Sequence, residues 1–262
     1  MGAAVGKALL GNGHRVGWCA AGRSQDTADR ATAFERFATL DALASWANVC
    51  VSVVPPHAAV ETARSIGNTG FEGIYVDANA ISPKTAAQVH SLVAACGATY
   101  IDGGIIGPPP TERGGSRLYL ADDARGANAT AVVASLFADS TFDAPVLDGM
   151  GPYAASALKM VYAAWTKGSA AMLLATAQAA EGLGVMEALR AEWDHSVPEA
   201  TERLARVTQA AGPKAWRYIG EMLEIASTFE SVGQPSGYHR AASTTYERVA
   251  NGRSDRSQSM ES

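Results

Sequence analysis

The chain has 262 residues, of which 47% are hydrophobic and 18% are charged, and its formal net charge at pH 7 is -5. This length and composition allow a large globular core in one or two domains, and the acidic balance argues against a nucleic-acid partner. Three scattered cysteines, Cys19, Cys50 and Cys96, exclude a disulfide framework and a zinc site. Since neither a secretory signal nor a membrane span is recognisable, we expect a cytoplasmic protein without membrane contact. The sequence also indicates no metal site.

Short apolar runs alternate with helical stretches from residue 1 to about residue 148. This alternation predicts parallel strands with helical crossovers, hence an α/β, doubly wound, Rossmann-like domain over residues 1–148. A helix at the very start of the chain precedes strands at 16–19, 49–54, 73–77, 99–102, 117–121 and 144–147. Further helices are predicted at 26–34, 40–46, 58–66, 83–95 and 127–136.

After Gly151 the strand signals end, and Ala, Leu, Met and Glu recur with helical periodicity. Helices are predicted at 153–181, 186–193, 199–210, 214–229 and 238–249. The sequence therefore predicts an all-α domain over residues 149–250. The polar stretch 251–262 is predicted to be a disordered tail.

The first helix begins with properties of an anion site. Gly2 and Ala3 present unobstructed backbone N–H groups where the helix dipole also favours negative charge. About twenty residues later, Arg23 and Ser24 follow the first predicted strand, at the place where nicotinamide-binding sheets contact the adenosine ribose. An arginine there favours NADP, with NAD as the alternative, although Arg23 is equally compatible with a solvated turn.

Five segments carry recognisable motifs: MGAAVGKALLGNGHRV (1–16), SVVPP (52–56), VDANAISP (76–83), YIDGGIIGP (100–108) and GMGPYAASALKMVYAAWTKG (149–168). They resemble the β-hydroxyacid dehydrogenase family, which includes the 3-hydroxyisobutyrate and 6-phosphogluconate dehydrogenases. The resemblance covers nearly the whole chain. It is strongest to a poorly characterised branch whose helical domain is shorter than that of 6-phosphogluconate dehydrogenase. Cofactor contacts at Val54, Pro55 and Asn79 are implied.

In that family a strand and G-x-G-x come directly before the M-G dipeptide, so Gly2 corresponds to the third glycine of the fingerprint. The first strand of the sheet thus has no counterpart in this sequence, and we expect the natural chain to be longer. The competing expectation is that the truncated form is the real product and binds the cofactor poorly.

Lys159 lies on a mostly apolar helix and is flanked by small residues. Such a lysine either extends to solvent or lines a pocket. The family resemblance implies that Lys159 exchanges the proton of the substrate hydroxyl while hydride moves to or from the nicotinamide. One turn later the family usually has asparagine, whereas this sequence has Tyr162 and Ala163; Tyr162 is either a helper in proton transfer or a packed aromatic.

The substrate residues depart further from the family pattern. Ile105 and Ile106 replace a serine-containing loop that holds a carboxylate in relatives, so Ile106 and Gly107 are expected to contact a less polar substrate. Asn79 and Ser82 follow the strand at 73–77 and are expected over the cofactor, as catalytic and substrate residues, although a helix start needs the same residue types. His239 is a candidate anion contact, and a structural role is its alternative.

These observations predict an NADP-dependent oxidoreductase acting on a hydroxyl or carbonyl group of a small molecule, and a homodimer formed through the helical domain. Reduction of an imine is a second enzymatic alternative. A non-catalytic dinucleotide sensor or a degenerate dimerisation module is the alternative from another class, since the strand, the asparagine and the polar loop are missing.

Overall fold

The computed structural model describes residues 1–123, 127–212 and 214–258. The chain divides into two compact units, Met1–Lys159 and Met160–Ser262. The division lies beyond the expected boundary at residues 148 and 149, because the first turn of a long helix packs on the first unit.

The first unit contains two sheets. Strands β1 (Gly17–Cys19) and β2 (Glu35–Phe37) form a parallel pair. The second sheet has the order β3-β4-β5-β6-β7, and its strands are β3 (Val49–Ser52), β4 (Ile74–Asp77), β5 (Thr99–Ile106), β6 (Ser116–Ala121) and β7 (Phe142–Asp143). β3, β4 and β5 are parallel, and β6 runs antiparallel to β5.

Helix α1 (Gly2–Gly11) precedes the first described strand. The α-helices between the described strands are α2 (Gln25–Arg30), α3 (Leu40–Trp46), α4 (Ala59–Gly67), α5 (Pro83–Ala94) and α6 (Ala127–Leu136). A 3-10 turn at Pro56–Ala58 precedes α4. Local chemistry explains two of the starts. The Thr39 side chain accepts a hydrogen bond from the Ala42 N–H at the start of α3, and α5 begins with Pro83 directly after its capping residue Ser82.

The predicted fold class, a Rossmann-like α/β domain followed by a helical domain, is confirmed, and several details differ. The helix expected at 26–34 ends at Arg30 and is followed by β2, a short and mostly exposed strand. β5 continues through Gly103 and Gly104 to Ile106 instead of ending at residue 102. The segment 144–147 forms only a bridge between Val146 and Leu120, and the named strand is β7.

The two sheets do not pair with each other among the described strands: β1 and β2 are both edges of the smaller sheet, and β3 and β7 are the edges of the larger one.

Apolar side chains fill both faces of the larger sheet. One cluster joins α4 and α5 to Tyr75 and Tyr100, and the other joins α1 and α6 to Val76, Ile101 and Ile105. Since side chains alternate between the faces of a strand, Tyr100, Asp102, Gly104 and Ile106 share the first of these two faces. This row of β5 positions the candidate site.

The second unit is helical. The long helix α7 (Ala154–Gly182) leads into it, and Gly184, with φ at +71°, follows the helix end, where glycine tolerates the left-handed conformation. The other helices are α8 (Met186–Ser196), α9 (Glu199–Ala211), α10 (Ala215–Ser231) and α11 (Gly237–Gln258). Of the expected tail, residues 251–258 continue α11, and residues 259–262 lie outside the described part.

Partly buried polar contacts join three of these helices. The Tyr246 hydroxyl donates to the Lys167 carbonyl oxygen at 2.8 Å, which joins α11 to α7. Lys167 also forms an ion pair with Glu221 of α10. Among the described residues, no helix is long and apolar enough to cross a membrane.

Candidate functional site

The start of α7 is fixed to β5 by a buried carboxylate. Asp102 Oδ2 accepts a hydrogen bond from the Ser156 backbone N–H at 2.8 Å, and Oδ1 accepts one from Ser156 Oγ at 2.5 Å. Burial raises the pKa of Asp102 to about 7, although the hydrogen bonds from Ser156 act in the opposite direction. Because the first N–H groups of a helix have no acceptor within it, a carboxylate is well placed there.

Gly104 allows α7 to lie directly on the strand. A Cβ atom at this position would lie 2.5 Å from the Ala155 carbonyl oxygen and 3.4 Å from Lys159 Cβ. Only a residue without a side chain fits this distance. A Cβ atom at the adjacent Gly103 would lie 2.9 Å from the Asp77 carbonyl oxygen. Gly103 and Gly104, which do not favour a strand by propensity, therefore serve close packing.

Lys159 lies one turn after Ser156, and its Nζ donates a hydrogen bond to the Ile105 carbonyl oxygen near the end of β5. Burial lowers the pKa of Lys159 to about 8, because removal from water disfavours the charged ammonium. A lysine in this state exchanges protons near neutral pH. Tyr162, on the following turn of α7, has 48% of its surface exposed.

Asn79 connects the ends of β3 and β4. Its Oδ1 accepts from the Val54 N–H at 2.6 Å, and its Nδ2 donates to Ser52 Oγ at 3.0 Å and to Asp77 Oδ1 at 2.6 Å. The residue is 2% exposed. Both donors of the amide are therefore engaged within the protein, so the geometry favours a role in positioning the Val54 loop over a direct catalytic role.

Ser82 is fully buried as the N-cap of α5, where its Oγ accepts from the Thr85 N–H at 3.2 Å. This is the helix-start role that the sequence left open as the alternative to substrate contact.

The structure brings some of the expected cofactor residues together. Gly2 is exposed in the first turn of α1, and a Cβ atom there would lie 3.7 Å from Val53 Cβ, so α1 begins beside the loop that contains Val54 and Pro55. Ala3, the next residue, is half-buried.

Arg23 and Ser24 lie in the exposed turn between β1 and α2. Ser24 is the N-cap residue of α2, and its Oγ is 3.2 Å from Thr27 Oγ1. Arg23 makes no ion pair with a described residue, and no described contact joins this turn to the start of α1.

The two isoleucines of the expected substrate loop belong to β5. The Ile105 side chain is buried in the core with α1 and α6, so only its carbonyl oxygen faces Lys159. Ile106 is half-buried at the end of the strand, and Gly107 follows it in an exposed position with φ at +123°.

His239 is placed in the second unit, on α11. It is 6% exposed, its ring lies 4.3 Å from that of Phe229 between centroids, and its Nδ1 has no hydrogen-bond partner among the described residues. Burial lowers the pKa of His239. This environment is typical of a packed histidine.

Sequence reasoning missed Asp102, Gly104 and Ser156. Asp102 and Gly104 lie within the segment YIDGGIIGP, and Ser156 lies three residues before Lys159 in the chain. However, the pairing of β5 with the start of α7 is a tertiary contact without a sequence signal. The sequence also gives no signal for the contacts of His90 on α5. Its Nδ1 is 3.0 Å from the Tyr153 hydroxyl, and its ring stacks on Tyr100.

Residues 180–249 match a family described as a domain of unknown function, DUF1932. No curated protein matches the chain. One similar solved structure is a conserved protein of unknown function with structural similarity to 3-hydroxyacid dehydrogenases. It is 26% identical, the alignment covers 96% of this chain and 93% of that one, and the TM-score is 0.65.

Two further solved structures share the fold at lower identity. The 3-hydroxyisobutyrate dehydrogenase of Mycobacterium tuberculosis, solved with L-serine, is 17% identical, with 96% of this chain and 90% of that chain covered and a TM-score of 0.66. A reductive aminase from Aspergillus terreus, in complex with NADPH4, cyclohexanone and allyl amine, is 18% identical, with the same coverage and a TM-score of 0.53. The chain thus resembles the 3-hydroxyacid dehydrogenase-like proteins in its fold, as its motifs indicate, and carries a DUF1932 segment at its carboxyl end.

Proposed function

We propose that this protein is an NADP-dependent oxidoreductase that transfers hydride between the nicotinamide and a hydroxyl or carbonyl carbon of a small molecule. The observation that carries the proposal is Lys159, a half-buried lysine with its pKa lowered to about 8 and its Nζ held at the Ile105 carbonyl oxygen. Oxidation of an alcohol releases a proton together with the hydride, so the reaction needs a base that titrates near neutral pH.

The residues at the start of α1 fit a dinucleotide. Gly2 and Ala3 offer backbone N–H groups at a helix N-terminus, and Val54 and Pro55 form the adjacent loop, fixed by Asn79. Arg23 is an exposed cation for the phosphate that distinguishes NADP from NAD, with Ser24 beside it. The bound nicotinamide supplies a carbon that accepts or gives hydride. The NADPH4 bound by the reductive aminase supports NADP, and NAD is the alternative cofactor.

Lys159 would take the proton from the substrate hydroxyl in oxidation and return it to the carbonyl oxygen in reduction. The Ile105 carbonyl accepts a hydrogen bond from Nζ and so limits the positions of the amine. Tyr162 is proposed as a second hydrogen-bond donor to the substrate, since it is exposed one turn after Lys159.

The substrate is proposed to be less polar than a hydroxy acid. Ile106 shares the face of β5 on which α7 begins, and Gly107 adds an exposed, side-chain-free position next to it. Ser82 and His239 are both buried, so neither presents an exposed polar atom to a substrate. The apolar Ile106 also favours reduction of an imine as the second candidate activity, in line with the reductive aminase of the same fold.

The test is to measure binding of NADPH to the full chain by fluorescence, then its oxidation with a panel of hydroxy acids, ketones and imines. Lys159→Ala should lower turnover by about 100-fold or more and leave NADPH binding unchanged. Binding without turnover across the panel would favour the non-catalytic sensor. Absence of binding at millimolar NADPH and NADH would contradict the proposal altogether.

We also propose that the protein is a homodimer through its helical unit. Large apolar side chains on α7 are exposed in the single chain, with Trp165 72% and Met172 59% exposed. Several large apolar side chains exposed on one helix are typical of an interaction surface.

A further inference from the structure

We propose that Asp102 is the positioning residue for Lys159 and acts through Ser156. We further propose that Gly104 sets the distance between α7 and β5 on which this positioning depends. The inference rests on the proposed function, in which Lys159 exchanges the substrate proton. None of these three residues is needed to touch the substrate or the cofactor.

The first step is the buried anchor. Asp102 has no exposed surface, and both of its oxygens accept hydrogen bonds from Ser156, one from the backbone and one from the hydroxyl. A link through both the main chain and the side chain fixes the rotation of α7 about its axis as well as its location. A backbone contact alone would allow the side-chain face to turn.

The second step follows from helix geometry. Residues three apart lie on one face of a helix, so Lys159 shares the face of Ser156. On β5, Ile105 lies three residues after Asp102 and its side chain points to the opposite face, so Lys159 contacts only its carbonyl oxygen. The two contacts, Asp102 with Ser156 and Ile105 with Lys159, therefore connect the same strand and the same helix one turn apart.

The third step is the distance. Between these two contacts, Gly104 leaves no side chain under the Ala155 carbonyl oxygen. A methyl group at residue 104 would push α7 away from β5 at the point where Lys159 Cβ approaches. The hydrogen bond from Lys159 to the Ile105 carbonyl would lengthen, and the amine would become accessible to water.

If the link between Asp102 and Ser156 had only a structural role, its loss would affect stability but not the pKa of Lys159. If it positions Lys159, its loss should change that pKa. The sequence contains only five lysines, Lys7, Lys84, Lys159, Lys167 and Lys214. Lysine labelled with 13C at Cε thus gives a simple NMR spectrum of the full chain, in which the variant Lys159→Arg identifies the Lys159 signal.

In the unmodified protein the pKa of Lys159 should lie near 8. In Asp102→Asn it should rise by about one unit or more towards the ordinary value, because water reaches the displaced amine. The sign is diagnostic, since loss of a nearby negative charge without displacement would lower the pKa of a lysine. Gly104→Ala, which changes no charge, should produce the same rise.

Two matched pairs of variants separate a change in the position of Lys159 from general damage to the fold. In the first pair, Ser156→Ala should raise the pKa of Lys159, whereas Ser156→Thr, which keeps the hydroxyl, should leave it near its value in the unmodified protein. In the second pair, Gly182→Ala is the control for Gly104→Ala: residue 182 lies on the same helix as Lys159, but the new methyl group meets no atom within 4 Å, so the pKa of Lys159 should not change.

The titration does not depend on turnover, so it decides the inference even if no substrate is found. An unchanged or lowered pKa of Lys159 in folded Asp102→Asn and Gly104→Ala would overturn it. If Asp102→Asn does not fold, the pair Ser156→Ala and Ser156→Thr gives the same decision. Where activity is present, kcat should fall about tenfold or more in the displaced variants, with the Kd for NADPH unchanged.

Discussion

Asp77 and Asp102 lie directly opposite each other in the register of β4 and β5, and both are buried. Burial raises the pKa of Asp77 to about 6 and that of Asp102 to about 7, and the charge of Asp77 contributes to the rise at Asp102. Two neighbouring carboxyl groups with raised pKa values make the stability of this sheet depend on pH.

The free energy of unfolding should fall as the pH rises from about 4 to about 7. In this range the folded chain binds more protons at Asp77 and Asp102 than the unfolded chain, whose aspartates titrate near their ordinary pKa values. A rising pH therefore favours the unfolded state. Urea unfolding at several pH values measures the effect. Asp102→Asn should flatten the dependence, whereas the exposed Asp148→Asn should not; equal slopes in the two variants would contradict this assignment.

The rate of substrate oxidation should rise with pH through about 8, and the rate of reduction should fall over the same range. The neutral amine of Lys159 is the base in one direction, and its ammonium is the acid in the other. Profiles of kcat in both directions give the test. Parallel profiles, or an inflection that persists in Lys159→Ala, would assign the proton transfer to another group.

Asn79→Ala should lower the free energy of unfolding by about 2 to 4 kcal/mol, because the Val54 N–H and the Asp77 carboxylate lose buried hydrogen bonds. Weaker NADPH binding should accompany the loss, since Asn79 fixes the Val54 loop. Asn251→Ala, on the exposed surface of α11, is the control for both measurements. A stable variant with normal binding would remove Asn79 from the site.

Arg23→Ala should reduce the preference for NADP over NAD by about tenfold or more, because a charge-assisted contact to phosphate is lost. Affinity for NAD should change little. The comparison is the ratio of the two dissociation constants in Arg23→Ala and in Arg64→Ala, an exposed arginine paired with Glu61. If both variants keep the original ratio, Arg23 is a solvated turn residue.

Trp165→Glu should convert the proposed dimer into a monomer, since it places a charge in the exposed apolar surface of α7. Light scattering coupled to size-exclusion chromatography gives the mass directly. Gln178→Glu adds the same charge at an exposed polar position of the same helix and should remain dimeric. A monomeric unmodified protein would refute the proposal at once.

The sequence predicts most elements because their apolar periodicity and their helix starts are local properties. Helix α3 matches its predicted range, and α5, with Ser82 and Pro83, differs only at its last residue. Strand β2 escaped prediction because Glu35 and Arg36 are polar and exposed, so its only signal is the pairing with β1. The extension of β5 was missed because consecutive glycines ordinarily end a strand.

The candidate site likewise has features that the sequence predicts and features that depend on tertiary packing. Lys159 could be singled out from its chain neighbours, since a lone charge on an apolar helix is visible in the sequence. Its pKa and its contact with Ile105 depend on the packing of α7 on β5, and nothing in the sequence specifies that distance. Asn79 was recognised as important, but its three partners come from two strands and a loop, and only the structure identifies its role as a connector.

The alternation of residues along β5 has a consequence for protein engineering. Gly104 and Ile106 face the same side, but only the second position has room for a larger or smaller side chain. A library intended to change the range of accepted molecules should therefore randomise residue 106 and keep residue 104 as glycine. Most members of a library that randomises residue 104 would be inactive, because any side chain there would displace α7 from β5.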